Sequence, residues 1–298
     1  MQREGARMAY YTSASTAVQI LRHRQIWMRN TQVMNDFSEV EHGIACVRDA
    51  LRSETGRQFG SLVNTFYPGL FEKLIEQFEG WIPGFRLDTF IACVSEHHDE
   101  DATFGRLSMW RAYGGKAGVA LVLNPGVFFR PSDALGAYSM PVFYSGPENV
   151  VNQLREITAR MSGAPGAVGN LGADGLQELL FSVLRYASVC TKHPAFKEER
   201  EWRVVASPAL YPNELLQPSL ETIGDVPQVV LKLPLMEVPE RGLTGISPES
   251  FIERILIGPC EHPDVLFRAL HTALEGAGVS KPGERIIVTN IPLRANQR

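Results

Sequence analysis

The residues with the most chemistry to offer lie in one short run, Glu198-Glu199-Arg200-Glu201-Trp202-Arg203, which leads directly into the apolar pair Val204-Val205. Charged side chains pressed against a strand are costly to bury unless they are paired or put to use. Strand alternation puts Glu199, Glu201 and Arg203 on one face and Arg200, Trp202 and Val204 on the other. The flanking cations favour the ionised form of Glu201. An anionic carboxylate on a rigid strand can hydrogen-bond a ribose hydroxyl or stabilise an oxocarbenium-like centre. The same pattern also suits an ion-pair ladder on an edge strand.

A second cluster, Trp110-Arg111-Ala112-Tyr113-Gly114-Gly115, offers flat apolar rings and a guanidinium fork. Such a set can sandwich an aromatic ring and hold a phosphate or carboxylate. It equally describes a helix turn with both rings in the core. A third cluster, Asn35-Asp36, precedes Ser38 and suits either plain turn chemistry or a turn that orders a loop at a site. Three such clusters, far apart in sequence, point to one site assembled by the fold. His97-His98-Asp99-Glu100-Asp101 has metal-ligand residue types, but contiguous residues cannot all face one ion, so it reads as a solvated acidic loop. Cys190 and His193 are spaced like half a metal site, with no second half. There is no Walker loop, no Gly-x-Gly-x-x-Gly and no Gly-x-Ser-x-Gly. Gly114-Gly115-Lys116-Ala117-Gly118 could cradle a phosphate, although a turn before a strand explains it as well.

The elements that must position these residues follow from periodicity. Residues 8–12 form a strand, Ser13 an N-cap, and Ala14, Ala17, Val18 and Leu21 one face of a helix. Ile26-Trp27-Met28 is a second strand. A capping box of Ser38 and Glu41 opens a helix over 38–51, and a further helix is expected over 62–78. Strands follow at 90–95, 119–123 and 141–144, then a helix at 150–161. The Gly- and Ala-rich stretch 162–174 reads as a mobile loop. A helix over 176–187, strands at 202–206, 229–233 and 255–257, a helix at 263–276 and a strand at 286–289 complete the chain. Helices come in blocks between strands without strict alternation, which predicts a mixed α+β fold rather than a doubly wound sheet. With no linker visible, residues 1–298 are expected to form one domain.

A net charge of -4 gives no bulk field for nucleic acid, although it does not exclude a local basic groove. No apolar run approaches the roughly 20 residues of a membrane span, and the N-terminal residues lack a signal-peptide core. The four cysteines, Cys46, Cys93, Cys190 and Cys260, are isolated. They read as reduced residues of a cytoplasmic protein.

Several ordered blocks stand out along the chain. They are Tyr10-Tyr11-Thr12-Ser13, Ile20-Leu21, Trp27, Asn35-Asp36 with Glu39, Cys93-Val94-Ser95-Glu96, and Met109-Trp110-Arg111-Ala112-Tyr113-Gly114. Phe196-Lys197 with Glu199-Arg200-Glu201-Trp202-Arg203, Ile257-Gly258-Pro259 and Ile291-Pro292-Leu293-Arg294 complete the set. In this order the blocks resemble a widespread bacterial family known only as a domain of unknown function. More distantly, the chain is similar to DNA-targeting ADP-ribosyltransferase toxins, with Tyr10 where those toxins carry a His and Glu201 at their late Glu. A Tyr hydroxyl can still hydrogen-bond a ribose, with a different geometry.

That resemblance implies mainly antiparallel sheets around a central cleft with flanking helices. It also implies NAD as the substrate that is consumed and no metal, while the lack of a long apolar run predicts no membrane partner. Glu201 would be catalytic, and Tyr10, Tyr11, Thr12, Ser13, Asn35, Asp36, Trp110, Arg111, Tyr113, Lys197 and Arg203 would bind the dinucleotide. The acceptor could be nucleic acid or protein, and the context a toxin or anti-phage effector. Two other readings stand beside it. One is a non-catalytic nucleotide- or protein-binding module using Trp110, Arg111 and Arg203. The other is a metal-dependent nuclease gathering Asp36, Glu39, Glu96 and Glu201 around a divalent ion.

Overall fold

A computed structural model describes residues 7–34, 39–130 and 132–292 of the chain. Strand β1 (Arg7–Ser13) ends where Ser13 Oγ accepts a hydrogen bond from the Thr16 amide at 3.2 Å, capping α1 (Ala14–His23). Strand β2 (Gln25–Asn30) follows, as the periodicity predicts. Next come α2 (Glu39–Arg52), α3 (Glu54–Phe66) and α4 (Leu70–Leu87). The single helix expected over 62–78 is therefore two helices. Pro68 lies at the break, because its ring and missing N–H interrupt the helical ladder. The Ser38 half of the expected capping box lies outside the described residues.

Strand β3 (Phe90–His97), α5 (Leu107–Tyr113), β4 (Gly118–Leu123), α6 (Gly126–Phe129), β5 (Ala137–Pro141) and β6 (Phe143–Tyr144) lead to α7 (Pro147–Gly163). The stretch expected to be a mobile loop is mostly helical, with α8 (Pro165–Asn170) between α7 and α9 (Gly172–Cys190). Pro165 starts α8 at the one position where its ring suits a helix, and buried Val168 anchors it. Strands β7 (Thr191–Lys192), β8 (Glu201–Ala206), β9 (Pro218–Ile223) and β10 (Val226–Pro234) follow. Then come α10 (Pro248–Phe251), β11 (Ile252–Ile257), α11 (Pro263–Gly276) and β12 (Ile286–Val288). Strand β9 is absent from the periodicity reading because it is polar and exposed. Its hairpin is made by Gly224 and Asp225, at φ 55° and 65°, the left-handed pair that a two-residue turn needs.

The fold is mixed α+β with a mainly antiparallel sheet. Among the described residues ten strands form that sheet, in the order β12-β11-β4-β1-β3-β2-β10-β9, with β8 paired to β3 and β5 paired to β8. The β11–β12 pair is parallel, while β1–β3, β1–β4, β3–β8, β4–β11 and β2–β10 are antiparallel. A separate two-stranded parallel ribbon joins β6 and β7.

The chain divides into two compact units. One gathers the described residues of 1–29, 90–139 and 198–298, and the other those of 30–89 and 140–197. The first unit contains nearly all of the large sheet. One face of that sheet builds a core from Met8, Val94, Leu121, Leu123, Ile255 and Ile257 against Leu21 of α1 and Leu270 and Leu274 of α11. The second unit is helical, with Ile44, Phe59, Leu74, Phe78 and Phe85 buried and the Phe85 and Phe181 rings 6.1 Å apart. None of the four cysteines is in a disulfide. No helix among the described residues is long and apolar enough to cross a membrane.

Leu121 is 0% exposed in β4, whereas Leu220 is 75% exposed in β9. Leu121→Ala is expected to cost about 2–5 kcal/mol in denaturant unfolding. Leu220→Ala is expected to stay within about 0.5 kcal/mol of the parent.

Candidate active site

The site is built outward from β8. Ser95 faces Glu201 across the β3–β8 ladder, Cys93 faces Arg203, and Ala9 faces Ser95 across β1–β3. Directly opposed residues project to the same side of a sheet. Glu201, Arg203, Cys93, Ser95, Ala9 and, two residues on, Tyr11 therefore share one face. Trp202 and Val204 project to the other and pack on the main core, as alternation predicts.

Glu201 is 7% exposed and Arg203 1%, with Arg203 Nε donating to Glu201 Oε1 at 2.8 Å. Because β8 lies between β3 and β5, the pair is not the edge-strand ladder that the sequence allowed. Glu199, expected on the same strand face, instead ends a 3-10 turn ahead of β8, and its Oε1 accepts from Tyr113 Oη at 3.2 Å.

A residue not singled out in the sequence organises this region. The buried guanidinium of Arg106 donates from Nη1 to the Glu198 carbonyl. Its Nη2 donates to Ser95 Oγ and reaches the carbonyls of Glu96 at 3.3 Å and Glu199 at 3.1 Å. Its Nε stands 3.8 Å from Asp101 Oδ2, and Ser95 Oγ itself donates to the Glu199 carbonyl. The only signal in the sequence is the placement of Arg106 one helical turn ahead of Trp110, and nothing local says that its side chain turns toward distant carbonyls. Between the clamped carbonyls and Glu201, Arg200 is held at φ 45°, left-handed for a residue with a Cβ. Its carbonyl accepts from the Glu96 amide at 2.8 Å, and its guanidinium meets Glu100 Oε1 at 3.0 Å.

Tyr11 and Trp110 also lie on this face, but both are buried, Trp110 at 3% exposure. Their rings meet edge to face with centroids 4.9 Å apart. Trp110 Nε1 donates to the Phe104 carbonyl at 2.7 Å, and Tyr11 Oη accepts the Arg106 amide at 3.0 Å. Desolvation raises the Tyr11 phenol above its usual range, opposed by the Arg106 hydrogen bond and charge. Three glycines make room for the indole. A Cβ would come within 2.6 Å of Trp110 at Gly258, 2.9 Å at Gly105 and 3.0 Å at Gly118. The flat faces read from the sequence as a sandwich are filled by packing, which is the core alternative stated for that turn.

The other expected site residues are spread more widely. Tyr10 projects from the opposite face of β1 onto the main core. Burial pushes its phenol up to about 12, with Cys93 adding to the shift and Arg29 opposing it. Thr12 shares the Tyr10 side of β1 by alternation, and Ser13 is occupied as the cap of α1. Arg111 is exposed on α5, and Lys197 is exposed in the second unit. Asn35 and Asp36 lie outside the described residues. Among the described residues no group of three or more His, Cys, Asp and Glu side chains is arranged to hold a metal ion. Glu96 projects opposite to Glu201 and accepts from Trp202 Nε1 at 3.0 Å, so these two carboxylates do not converge.

His97 closes β3 on the Glu201 side, buried, with neither ring nitrogen hydrogen-bonded among the described residues. Desolvation lowers its pKa below 6.5. Asp101 opposes the shift, and Arg106, Arg254 and His98 add to it.

Two outcomes follow from this packing. Gly258→Ala is expected to destabilise by about 1–3 kcal/mol, and in a double-mutant cycle Trp110→Phe should relieve part of that cost. The folded state keeps His97 neutral while the unfolded chain takes up a proton below pH 6.5. Stability should therefore fall as pH drops from 7 through 6.5 toward the lowered folded value, and not change from this cause above pH 7. Urea unfolding of the parent and of His97→Leu across that range checks the assignment, since the variant should lose this component.

No curated protein and no solved structure matches the chain. A family match runs from Met109, through α5 and all of unit two beyond residue 140, to Val204 in β8. It takes in Trp110, Tyr113, Glu201 and Arg203, in accord with the uncharacterised family that the sequence blocks resemble. Over residues 109–204 the chain matches the family described as Protein of unknown function (DUF2971).

Proposed function

We propose that this chain is an ADP-ribosyltransferase-like enzyme that consumes NAD, with Glu201 as its catalytic carboxylate. The supporting observation is a strand-borne carboxylate that is almost entirely buried, ion-paired to Arg203, and preceded by a segment fastened through Arg106. A carboxylate fixed before reaction, in a region poor in water, is suited to stabilise positive charge as it develops. In the proposed reaction the bond between the nicotinamide nitrogen and the anomeric carbon of the ribose breaks, and its electron pair leaves with nicotinamide. Glu201 stabilises the oxocarbenium-like ribose. A nucleophile of the acceptor, a protein or nucleic-acid group, then bonds to the anomeric carbon and gives up its proton. Tyr11 and Trp110 serve in this scheme as the packed support of the face, and Tyr113, bonded to Glu199, and the exposed Arg111 of the same helix are the groups offered to the dinucleotide.

A second reading, a module that binds a nucleotide without turning it over, is favoured by one observation. Tyr10, which stands where the resembling toxins carry a ribose-binding His, points away from Glu201. Nicotinamide release from NAD, with and without chelator, separates the two. The expected result is chelator-resistant release that falls on the order of 100-fold, about 3 kcal/mol of barrier, in Glu201→Gln. The comparison is made on protein shown to be folded by circular dichroism, because removing one partner of a buried ion pair can itself unfold a protein. Full activity in the variant sinks the assignment. Binding of NAD without release establishes the second reading, and chelator-sensitive cleavage of nucleic acid establishes the nuclease.

A further inference from the structure

The residue next to Glu201 is left-handed. Arg200, at φ 45°, is neither glycine nor asparagine, and such a conformation persists only where its surroundings impose it. The surroundings are specific. Arg106 holds the carbonyls of Glu198 and Glu199, and the Glu199 carbonyl also receives Ser95 Oγ. The next carbonyl, that of Arg200, is taken by the Glu96 amide of β3 at 2.8 Å. Three consecutive carbonyls ahead of Glu201 are thus fastened to β3 and to the start of α5. The Arg106 amide in turn bonds Tyr11 Oη of β1 at 3.0 Å, so the clamp is referenced to the middle of the sheet.

We infer that Arg106 is a positioning residue that imposes the left-handed turn at Arg200 and thereby sets where the Glu201 carboxylate sits. The inference rests on the reading of Glu201 as catalytic. The Arg106 guanidinium touches backbone, Ser95 and Asp101 and acts only through the segment it holds. A guanidinium can address several carbonyls and a hydroxyl at once, whereas a lysine ammonium is a single point on a flexible stem. Arg106→Lys keeps the charge beside Asp101 and loses the fork.

The test combines that variant with a matched pair at the turn. Both Arg200→Gly and Arg200→Val remove the side chain and its contact with Glu100, but only glycine adopts the left-handed conformation readily. Amide hydrogen exchange at Glu96 and Glu201 reports the turn, and nicotinamide release reports the chemistry as separate kcat and KM. Arg106→Lys and Arg200→Val are expected to speed exchange at Glu96 and Glu201 at least tenfold, leave Ala120 and Leu121 of β4 unchanged, and lower kcat by about 10- to 100-fold with little change in KM. Arg200→Gly should keep kcat within about twofold of the parent, since the conformation survives.

Unchanged exchange at Glu96 and Glu201 in Arg106→Lys overturns the inference, as does equal loss of kcat in Arg200→Gly and Arg200→Val. An active parent whose kcat is untouched in Arg106→Lys overturns the positioning role and leaves the catalytic reading of Glu201 standing. A parent protein that releases no nicotinamide removes the catalytic reading, and the positioning role with it.

Discussion

The first unit depends on one buried cation held largely by backbone carbonyls. A guanidinium inside a protein must find acceptors for its donors, because each unmet donor carries its full desolvation penalty. Arg106 meets that demand at both Nη atoms with carbonyls from Glu96, Glu198 and Glu199 and with Ser95 Oγ, groups drawn from β3 and from the segment before β8, while its Nε has no hydrogen-bond acceptor among the described residues. Satisfying one side chain therefore fastens two parts of the chain together. Asp101 supplies opposite charge at 3.8 Å, and Arg200 approaches the same carboxylate at 3.7 Å. The acidic run that the sequence presented as a solvated loop is thus only partly so: Asp101 is buried against two arginines, while Asp99 and Glu100 are exposed.

The aromatic turn and the glycine motifs are a second consequence of close packing. An indole laid between β4, the end of β11 and the loop before α5 leaves no space for a Cβ at Gly105, Gly118 or Gly258. Blocks that look independent along the chain, Trp110-Arg111-Ala112-Tyr113-Gly114 and Ile257-Gly258-Pro259, are two sides of one contact. The Trp110 and Gly258 positions in them are explained by volume, with no ligand required. The part of the first unit still open to a chemical explanation is then small. It is the Glu201–Arg203 pair, Tyr113 with Glu199, and the strained turn at Arg200.

Helices and strands with strong periodicity are legible in the sequence. The opening β1-α1-β2, the buried strand β4 and the late helix α11 appear where the apolar spacing puts them. The errors fall where local signals are ambiguous. Pro68 divides a helix that periodicity runs together, and Pro165 begins a helix inside a stretch whose glycines suggest a loop. Strand β9 is missed because a polar, exposed strand has no apolar period to read, and its hairpin turn is the only mark it leaves.

The candidate site divides along the same line. Residue order alone determined that Glu201 and Arg203 share a side of their strand while Trp202 takes the other, because successive side chains in an extended chain must alternate. Which side faces what was decided by the sheet. Pairing of β8 between β3 and β5 buried the ion pair, and pairing of β1 with β3 put Tyr11 on its side and Tyr10 on the other. The Arg106 contacts span 95 residues to Tyr11 and 93 to Glu199, and no local preference encodes bonds of that range. They exist because strand register brings Tyr11 Oη to the Arg106 amide and the Glu199 carbonyl to the Arg106 guanidinium, and register is a property of the assembled sheet.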